Sequence, residues 1–234
     1  NYMNLPKITT PKYSLTIPSS GKKIEFRPFL VKEEKLLLLA QESKNTSDVS
    51  KAINEVIDSC TFGKGNLDDL TSFDVEYIFL KLRAKSVGEL AEVSVKCKHC
   101  DTSNEIEINL DDVEVVKKEE LPKKVMITDT IGIVPRYVSA SAINANVGDD
   151  VNDMFSFYVR SVIESIFDEN EVYPISQTSK EELDEFIDSL NREQMSKIEE
   201  IIENAPKLEK EVTFDCVKCK KKNTYVLSGA ESFF

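Results

Sequence analysis

The chain has 234 residues, of which 41% are hydrophobic and 31% charged, so it is long enough and apolar enough to bury a core. Its formal net charge of −12 argues against attraction of the whole surface to nucleic acid or to anionic lipid. The sequence contains no apolar run near the roughly 20 residues of a membrane-spanning helix, and no basic start followed by an apolar stretch indicates a secretion signal.

The first half of the chain predicts an extended, turn-rich start followed by helices and a pair of strands. The stripe of apolar residues along 47–60 includes Cys60, which we expect to be a buried, inert thiol. In chain order the predicted elements are a strand at 24–26, helices over 31–42 and 47–60, a helix that starts within 71–74, and strands at 93–97 and 106–110.

The second half begins after a highly charged segment at 117–124, which contains Pro122, lacks apolar spacing and is interpreted as a linker. Pro206 is expected to end the last helix of this half. The predicted elements are strands at 125–127 and 131–134, helices over 150–167, 179–190 and 191–204, and two strands around a cysteine pair within 212–227.

The two halves also share a local sequence pattern. Residues 92–104 align with 211–223, since both begin with Glu-Val, contain C-x2-C and end in Asn, at one offset of 119 residues (from 97 to 216). We interpret this as an internal duplication, the alternative being coincidence between short strings. The predicted fold class is α+β, with two similar halves at 3–116 and 125–234. Each half contains helices and a zinc knuckle, which is a turn with the C-x2-C motif, and the halves are joined by the linker 117–124 and by a shared four-cysteine site.

Two C-x2-C pairs carry the most specific chemistry of this sequence, Cys97 with Cys100 and Cys216 with Cys219. Two intervening residues let a tight turn direct both sulfurs at one point, and zinc takes four such ligands in a tetrahedron at about 2.3 Å. We therefore predict one structural Zn²⁺ held by all four thiolates in a zinc-ribbon-like site. An ion with four protein ligands has no open position at which to activate water.

Other interpretations of the cysteines are disulfides, a thioredoxin-like redox pair, or two separate metals. No secretion signal supports an oxidising compartment, and the βαβ context of a redox pair is not expected here. Two separate metals would each lack two ligands. His99 lies between Cys97 and Cys100 and is interpreted as a solvent-facing turn residue, because its ring cannot easily reach the same ion.

The sequence contains little that indicates an enzyme. It has no phosphate-binding loop, no dinucleotide fingerprint, no nucleophile elbow and no H-E-x-x-H motif, and it has a single histidine. The acidic runs at 181–185 and 199–200 fall on predicted helices and are interpreted as solvated faces. We therefore predict no catalytic residues, no cofactor-binding residues and no small-molecule substrate.

Three strings resemble one family of phage proteins: KKIEFRPFLVKEEK at 22–35, FDVEYIFLKLRAKSVGE at 73–89 and CKHC at 97–100. Together they are similar to the baseplate hub assembly proteins of T-even-type contractile-tailed phages, and the resemblance extends over nearly the whole chain from Met3. It implies a role in building the central hub of the tail baseplate, with other hub and tail proteins as partners. It also implies the cytoplasm of the infected bacterium as the place of action, the protein either staying in the virion as a hub subunit or acting only as an assembly factor.

A nucleic-acid-binding zinc ribbon, serving phage transcription or replication, is the alternative function. It rests on the lysines that crowd the cysteines. The aromatic C-terminus, Phe233 and Phe234, is expected either to dock on the protein's own core or to contact a partner. The lysines in question are Lys96, Lys98, Lys218, Lys220, Lys221 and Lys222.

Overall fold

The structure is a computed structural model that describes residue 6 and residues 8–145 and 151–233. The chain is 39% helical and 27% strand, which confirms the predicted mixture of helix and sheet. Among the described residues, no helix combines the length and the apolar character needed to cross a bilayer. Phe234 and residue 150, where a helix was predicted to begin, lie outside the described residues.

The helices and strands follow one another along both halves of the chain. The helices are α1 (Val31–Ser43), α2 (Thr46–Cys60), α3 (Ser72–Ser86), α4 (Ala140–Ala145), α5 (Val151–Val162), α6 (Lys180–Asp188) and α7 (Arg192–Glu203). The strands are β1 (Tyr13–Thr16), β2 (Lys23–Phe26), β3 (Leu90–Lys96), β4 (Ser103–Asn109), β5 (Glu114–Val116), β6 (Val125–Met126), β7 (Gly132–Pro135), β8 (Ile163–Phe167), β9 (Val172–Pro174), β10 (Lys207–Asp215) and β11 (Lys222–Ser228).

The chain forms two compact units. The first unit contains the residues up to 66, residues 74–114 and the residues from 209 onward, and the second contains residues 67–73 and 115–208. Both cysteine pairs therefore belong to the first unit, although they come from different halves of the sequence.

The boundaries of the two compact units differ from those of the predicted halves at 3–116 and 125–234, because strands from the end of the second half belong to the first unit. The element orders also differ in the described part of the chain: α2 is followed by α3, whereas α5 is followed by β8 and β9. The two halves, their origin by duplication and the linker at 117–124 stay predictions.

Antiparallel hairpins supply the strands of the first unit. β1 pairs with β2, β3 with β4, and β10 with β11. In β3 and β4 the buried Val95 stands opposite the buried Asn104, so a polar side chain takes a core-facing position next to the cysteine turn. Helix α2 buries Val56, Ile57 and Cys60, which confirms the predicted apolar face and the buried thiol.

A buried ion pair anchors the start of α1 in the first unit. The Arg27 guanidinium donates to the Glu33 carboxylate at 2.8 Å, and that carboxylate also accepts from the Leu30 N–H and the Ser59 hydroxyl. Burial acts to raise the pKa of Glu33, but the hydrogen bonds from Arg27 and Leu30 outweigh it and lower the pKa to about 2. Glu33, only 4% exposed, therefore stays ionised inside the unit.

A second buried charge fixes the segment after β4. The Lys81 ammonium of α3 donates to the backbone carbonyls of Asp111 at 2.7 Å and Val113 at 3.1 Å, with Leu110 at 3.4 Å. Burial lowers the pKa of Lys81, as expected for an ammonium removed from water. Because β4 leads directly into this segment, Lys81 ties the first cysteine hairpin to α3.

The second unit contains a four-stranded antiparallel sheet in the order β6-β7-β8-β9. Helix α6 is capped by Ser179, and α7 by Asn191, each in a capping box with the residue three positions later. The apolar faces of these helices contribute to one core, whose buried members are Ile127, Ile133, Val159, Val162, Ile163, Ile166, Ile175, Leu183, Ile187, Met195, Ile198 and Ile201.

The single helix predicted over 150–167 is wrong at its end. α5 ends at Val162, and residues 163–167 form β8, which pairs with β7. The buried residues Val159, Val162, Ile163 and Ile166 are spaced as on one helix face, which favours a helix; in β8 a register shift against β7 accommodates the three-residue spacing of the two isoleucines. Pairing with β7 decides in favour of the strand, helped by the β-branched isoleucines.

Candidate metal centre

Each cysteine pair occupies the turn of one hairpin in the first unit. The first turn, residues 97–102 between β3 and β4, is called here the first knuckle. Its Cys97 N–H donates to the Thr102 carbonyl at 2.8 Å, and the Asp101 N–H donates to the Cys97 carbonyl at 3.0 Å. Asp101 has a positive φ of 55°, a conformation that a short polar side chain tolerates in a tight turn.

The second turn, residues 216–221 between β10 and β11, is the second knuckle and repeats this geometry. The Cys216 N–H donates to the Lys221 carbonyl at 3.0 Å, and the Lys220 N–H donates to the Cys216 carbonyl at 3.0 Å. Lys220 has a φ of 59°, matching the left-handed residue of the first knuckle. The aligned sequence segments thus adopt one local structure twice.

The four sulfurs meet between the knuckles. The Sγ atoms of Cys97 and Cys219 are 3.6 Å apart, as are those of Cys100 and Cys216, and all four lie within 4.8 Å of one another. A tetrahedral shell with zinc–sulfur bonds of about 2.3 Å has sulfur–sulfur edges of about 3.8 Å. Both spacings across the knuckles therefore fit a single ion, and all five cysteines of the chain are free thiols.

Burial differs within each pair in the same way. Cys97 and Cys216, the first cysteine of each knuckle, are buried, whereas Cys100 and Cys219 are partly exposed. An ion at this position would be shielded on one side by the hairpins and would lie close to water on the other.

Two asparagines connect the knuckles to each other. Asn104 on β4 accepts a hydrogen bond from the Val217 N–H in the second knuckle at 2.8 Å. Asn223 on β11 accepts one from the Lys98 N–H in the first knuckle at 2.9 Å. Both asparagines are 2% exposed, so these reciprocal bonds are shielded from water.

In the sequence, Asn104 and Asn223 only align the two segments, and their contacts are not predicted. The available signal was an amide residue four positions after the second cysteine of each pair. In both strands it occupies a core-facing position, where an unpaired polar group would be costly.

Hydrogen bonds to sulfur favour thiolates at the first cysteine of each knuckle. The Cys219 N–H donates to Cys216 and, against the effect of burial, lowers the Cys216 pKa to about 6. Burial acts to raise the pKa of Cys97, but the His99 N–H and the Asn223 amide outweigh it, so this pKa is also lowered. Thiolates are the form in which cysteine binds a metal.

The second cysteine of the second knuckle behaves differently. The Lys221 N–H acts to lower the pKa of Cys219, but burial and the three neighbouring sulfurs together raise it to about 11. Burial and the crowding of sulfurs therefore favour the thiol form of Cys219.

The surroundings of the site are exposed and basic. All six lysines that crowd the knuckles in the sequence are exposed, and so is His99, as predicted. The Lys98 ammonium of the first knuckle lies 4.2 Å from the centre of the Tyr225 ring on β11, a cation–π contact. Cys60 stays apart from the cluster as a buried thiol whose pKa is raised to about 11 by burial.

Comparison with known proteins identifies a matching family. The model of the family described as T4 bacteriophage base plate protein matches residues 10–234. The chain matches no curated protein and no solved structure.

Proposed function

Because the chain belongs to the T4 bacteriophage base plate protein family, we propose that it is a non-enzymatic tail protein that acts in assembly of the central baseplate hub. It would serve either as a subunit of the hub or as an assembly factor for it. The observation that carries this proposal is the family match, which extends over 10–234 and so includes both compact units.

The proposal includes a structural zinc held by Cys97, Cys100, Cys216 and Cys219. The supporting observation is the convergence of four sulfurs, with spacings of 3.6 Å between the knuckles. Zinc held by four thiolates would cross-link hairpins that are far apart in the sequence. The resulting site would resemble a zinc ribbon whose two halves come from different parts of the chain.

The partners proposed for the protein are other hub and tail proteins of the phage. Assembly takes place in the cytoplasm of the infected bacterium, and a hub subunit would remain in the virion. A protein of this kind works by presenting rigid surfaces, and a metal that fixes two hairpins would contribute that rigidity.

The test is a nonsense mutation in the phage gene for this chain, with plasmid-borne protein supplied in trans. We expect mutant infections to accumulate tail intermediates without complete baseplates by electron microscopy, and wild-type protein to restore infectious particles. Complementation by Cys97→Ser should be impaired, whereas Cys60→Ala, outside the cluster, serves as the matched control. Normal yields of infectious particles without any functional copy would contradict the proposal.

The exposed lysines around the knuckles favour a second candidate function, a nucleic-acid-binding accessory protein. Filter binding of duplex and single-stranded DNA over a salt series separates the two. Binding to phosphates would weaken with salt at a slope of about 0.9 per phosphate neutralised on duplex DNA. Tight binding with a steep slope would favour this second candidate, and the absence of binding would leave the hub proposal.

A further inference from the structure

The geometry points to Asn104 and Asn223 as positioning residues that dock the two knuckles on each other before any metal binds. This inference rests on the proposed metal site and goes beyond it, because it assigns the assembly of the site to side chains that do not ligate the ion. The cysteine cluster would then be preformed in the metal-free protein.

Reciprocity is the first argument. The Oδ1 atom of each asparagine points away from its own hairpin. It accepts a hydrogen bond from the N–H of the residue that follows the first cysteine of the opposite knuckle. Under the offset of 119 residues that relates the two segments, the acceptor Asn104 corresponds to the acceptor Asn223, and the donor Lys98 corresponds to the donor Val217. Two equivalent bonds therefore hold the turns together from both sides, with local twofold symmetry.

The fixed orientation of each amide is the second argument. The Asn104 Nδ2 donates to the Thr102 carbonyl at 2.7 Å, and the Asn223 Nδ2 donates to the Lys221 carbonyl at 3.0 Å. Each amide is thus bonded to its own turn through nitrogen, which directs its oxygen at the opposite turn. A carboxylate could accept from the opposite N–H but could not donate to its own turn, so the two contacts together require an amide.

Contact with sulfur is the third argument. The Asn223 Nδ2 also lies 3.4 Å from the Cys97 Sγ, so the amide that holds the second knuckle's turn is in contact with a ligand of the first. Groups that orient ligands in this way typically change metal affinity about 10–100-fold when they are removed.

Preassembly also addresses the cost of bringing distant segments together. The knuckles come from separate parts of the chain, and closing a long loop costs conformational entropy. If folding and the asparagine hydrogen bonds bring the knuckles together before the ion arrives, metal binding loses no entropy for closing the loop. The affinity for the ion is then higher.

The first test is amide hydrogen exchange in the full chain, reduced and freed of metal with a chelator. We expect the Val217 and Lys98 amide protons to stay protected. Asn104→Ala should remove protection at Val217 and keep it at Lys98, and Asn223→Ala should do the reverse. Asn104→Asp, which keeps the acceptor, should retain protection at Val217 better than the alanine variant does.

The second test is Co²⁺ and Zn²⁺ affinity, followed by the thiolate–cobalt absorption and by competition. Each alanine variant should bind about 10–100-fold more weakly than the wild type. Asn109→Ala is the matched control: Asn109 is also on β4, and its side chain accepts a local N–H, that of Asp111, at 2.9 Å. Its affinity should equal that of the wild type.

Two results would overturn the inference. One is rapid exchange of Val217 and Lys98 in metal-free wild-type protein whose other hairpin amides remain protected. The other is equal metal affinity in the asparagine variants and the Asn109→Ala control. If the zinc proposal itself is wrong, the wild type will bind no metal. The hydrogen-exchange experiment will still report whether the knuckles dock.

Discussion

The side-chain oxygen of Asn104 accepts a hydrogen bond from the backbone N–H of Val217, 2.8 Å away. This bond joins the turn regions of two hairpins that are far apart along the chain but lie in one compact unit. Together with its counterpart between Asn223 and Lys98, it explains how two separate C-x2-C pairs present four sulfurs to one point.

Removing the metal should destabilise the first unit. A ligand present at about 1,000 times its Kd stabilises a folded protein by about 4 kcal/mol, so chelation should lower the free energy of unfolding by at least that amount for a tightly held ion. Urea denaturation of reduced protein with zinc and with chelator measures the difference. It should vanish in Cys97→Ser and persist in Cys60→Ala, and a chelator effect that survives in Cys97→Ser would contradict the four-cysteine site.

The buried pair Arg27–Glu33 should make stability depend on pH in acid. The pKa of Glu33 is lowered from 4.5 to about 2 in the folded protein, so its contribution is complete above pH 4.5 and is lost as the pH falls toward 2. That shift corresponds to about 3 kcal/mol. Denaturation of metal-free protein between pH 6 and pH 2 measures it without competition between protons and metal for the thiolates.

Glu33→Gln should remove this acid-dependent part of the stability. It should also cost about 3–5 kcal/mol at neutral pH, because it leaves the Arg27 charge buried without its partner. The control is Glu34→Gln, an exposed neighbour on the same turn of α1. An unchanged pH profile in Glu33→Gln would show that the ion pair does not carry the acid dependence.

Phe233 should behave as a core residue although it is next to the last residue of the chain. It is only 1% exposed, which supports docking on the protein's own core over contact with a partner. Phe233→Ala should lower the free energy of unfolding by about 3–5 kcal/mol. Val226→Ala, at a position on β11 that is 55% exposed, should have little effect, and near-wild-type stability of Phe233→Ala would favour a partner contact instead.

The sequence was most informative where chemistry and spacing are local. Two cysteines at fixed separation predict a turn, and the residues Ser179 and Asn191 begin the last two helices as caps. The convergence of the two cysteine pairs is predicted from the coordination number of zinc, which is four, and not from any folding signal. The structure brings the four sulfurs together, but the identity of the ion remains a proposal.

Non-local interactions account for what the sequence did not predict. Ile163 and Ile166 have the spacing of a helix face, and only pairing with β7, with its shifted register, makes this segment a strand. The roles of Asn104 and Asn223 depend on partners in the other hairpin, which no local pattern contains. The grouping of residues from 209 onward with the first unit likewise depends on long-range packing.

The most direct measurement is the metal content of the reduced full-length protein, determined by elemental analysis together with native mass spectrometry. We expect one zinc per chain, bound by the four clustered thiols while Cys60 remains free, and loss of that zinc in Cys97→Ser. Protein that contains no metal after careful reduction and zinc supplementation, or that holds two ions per chain, would contradict this expectation.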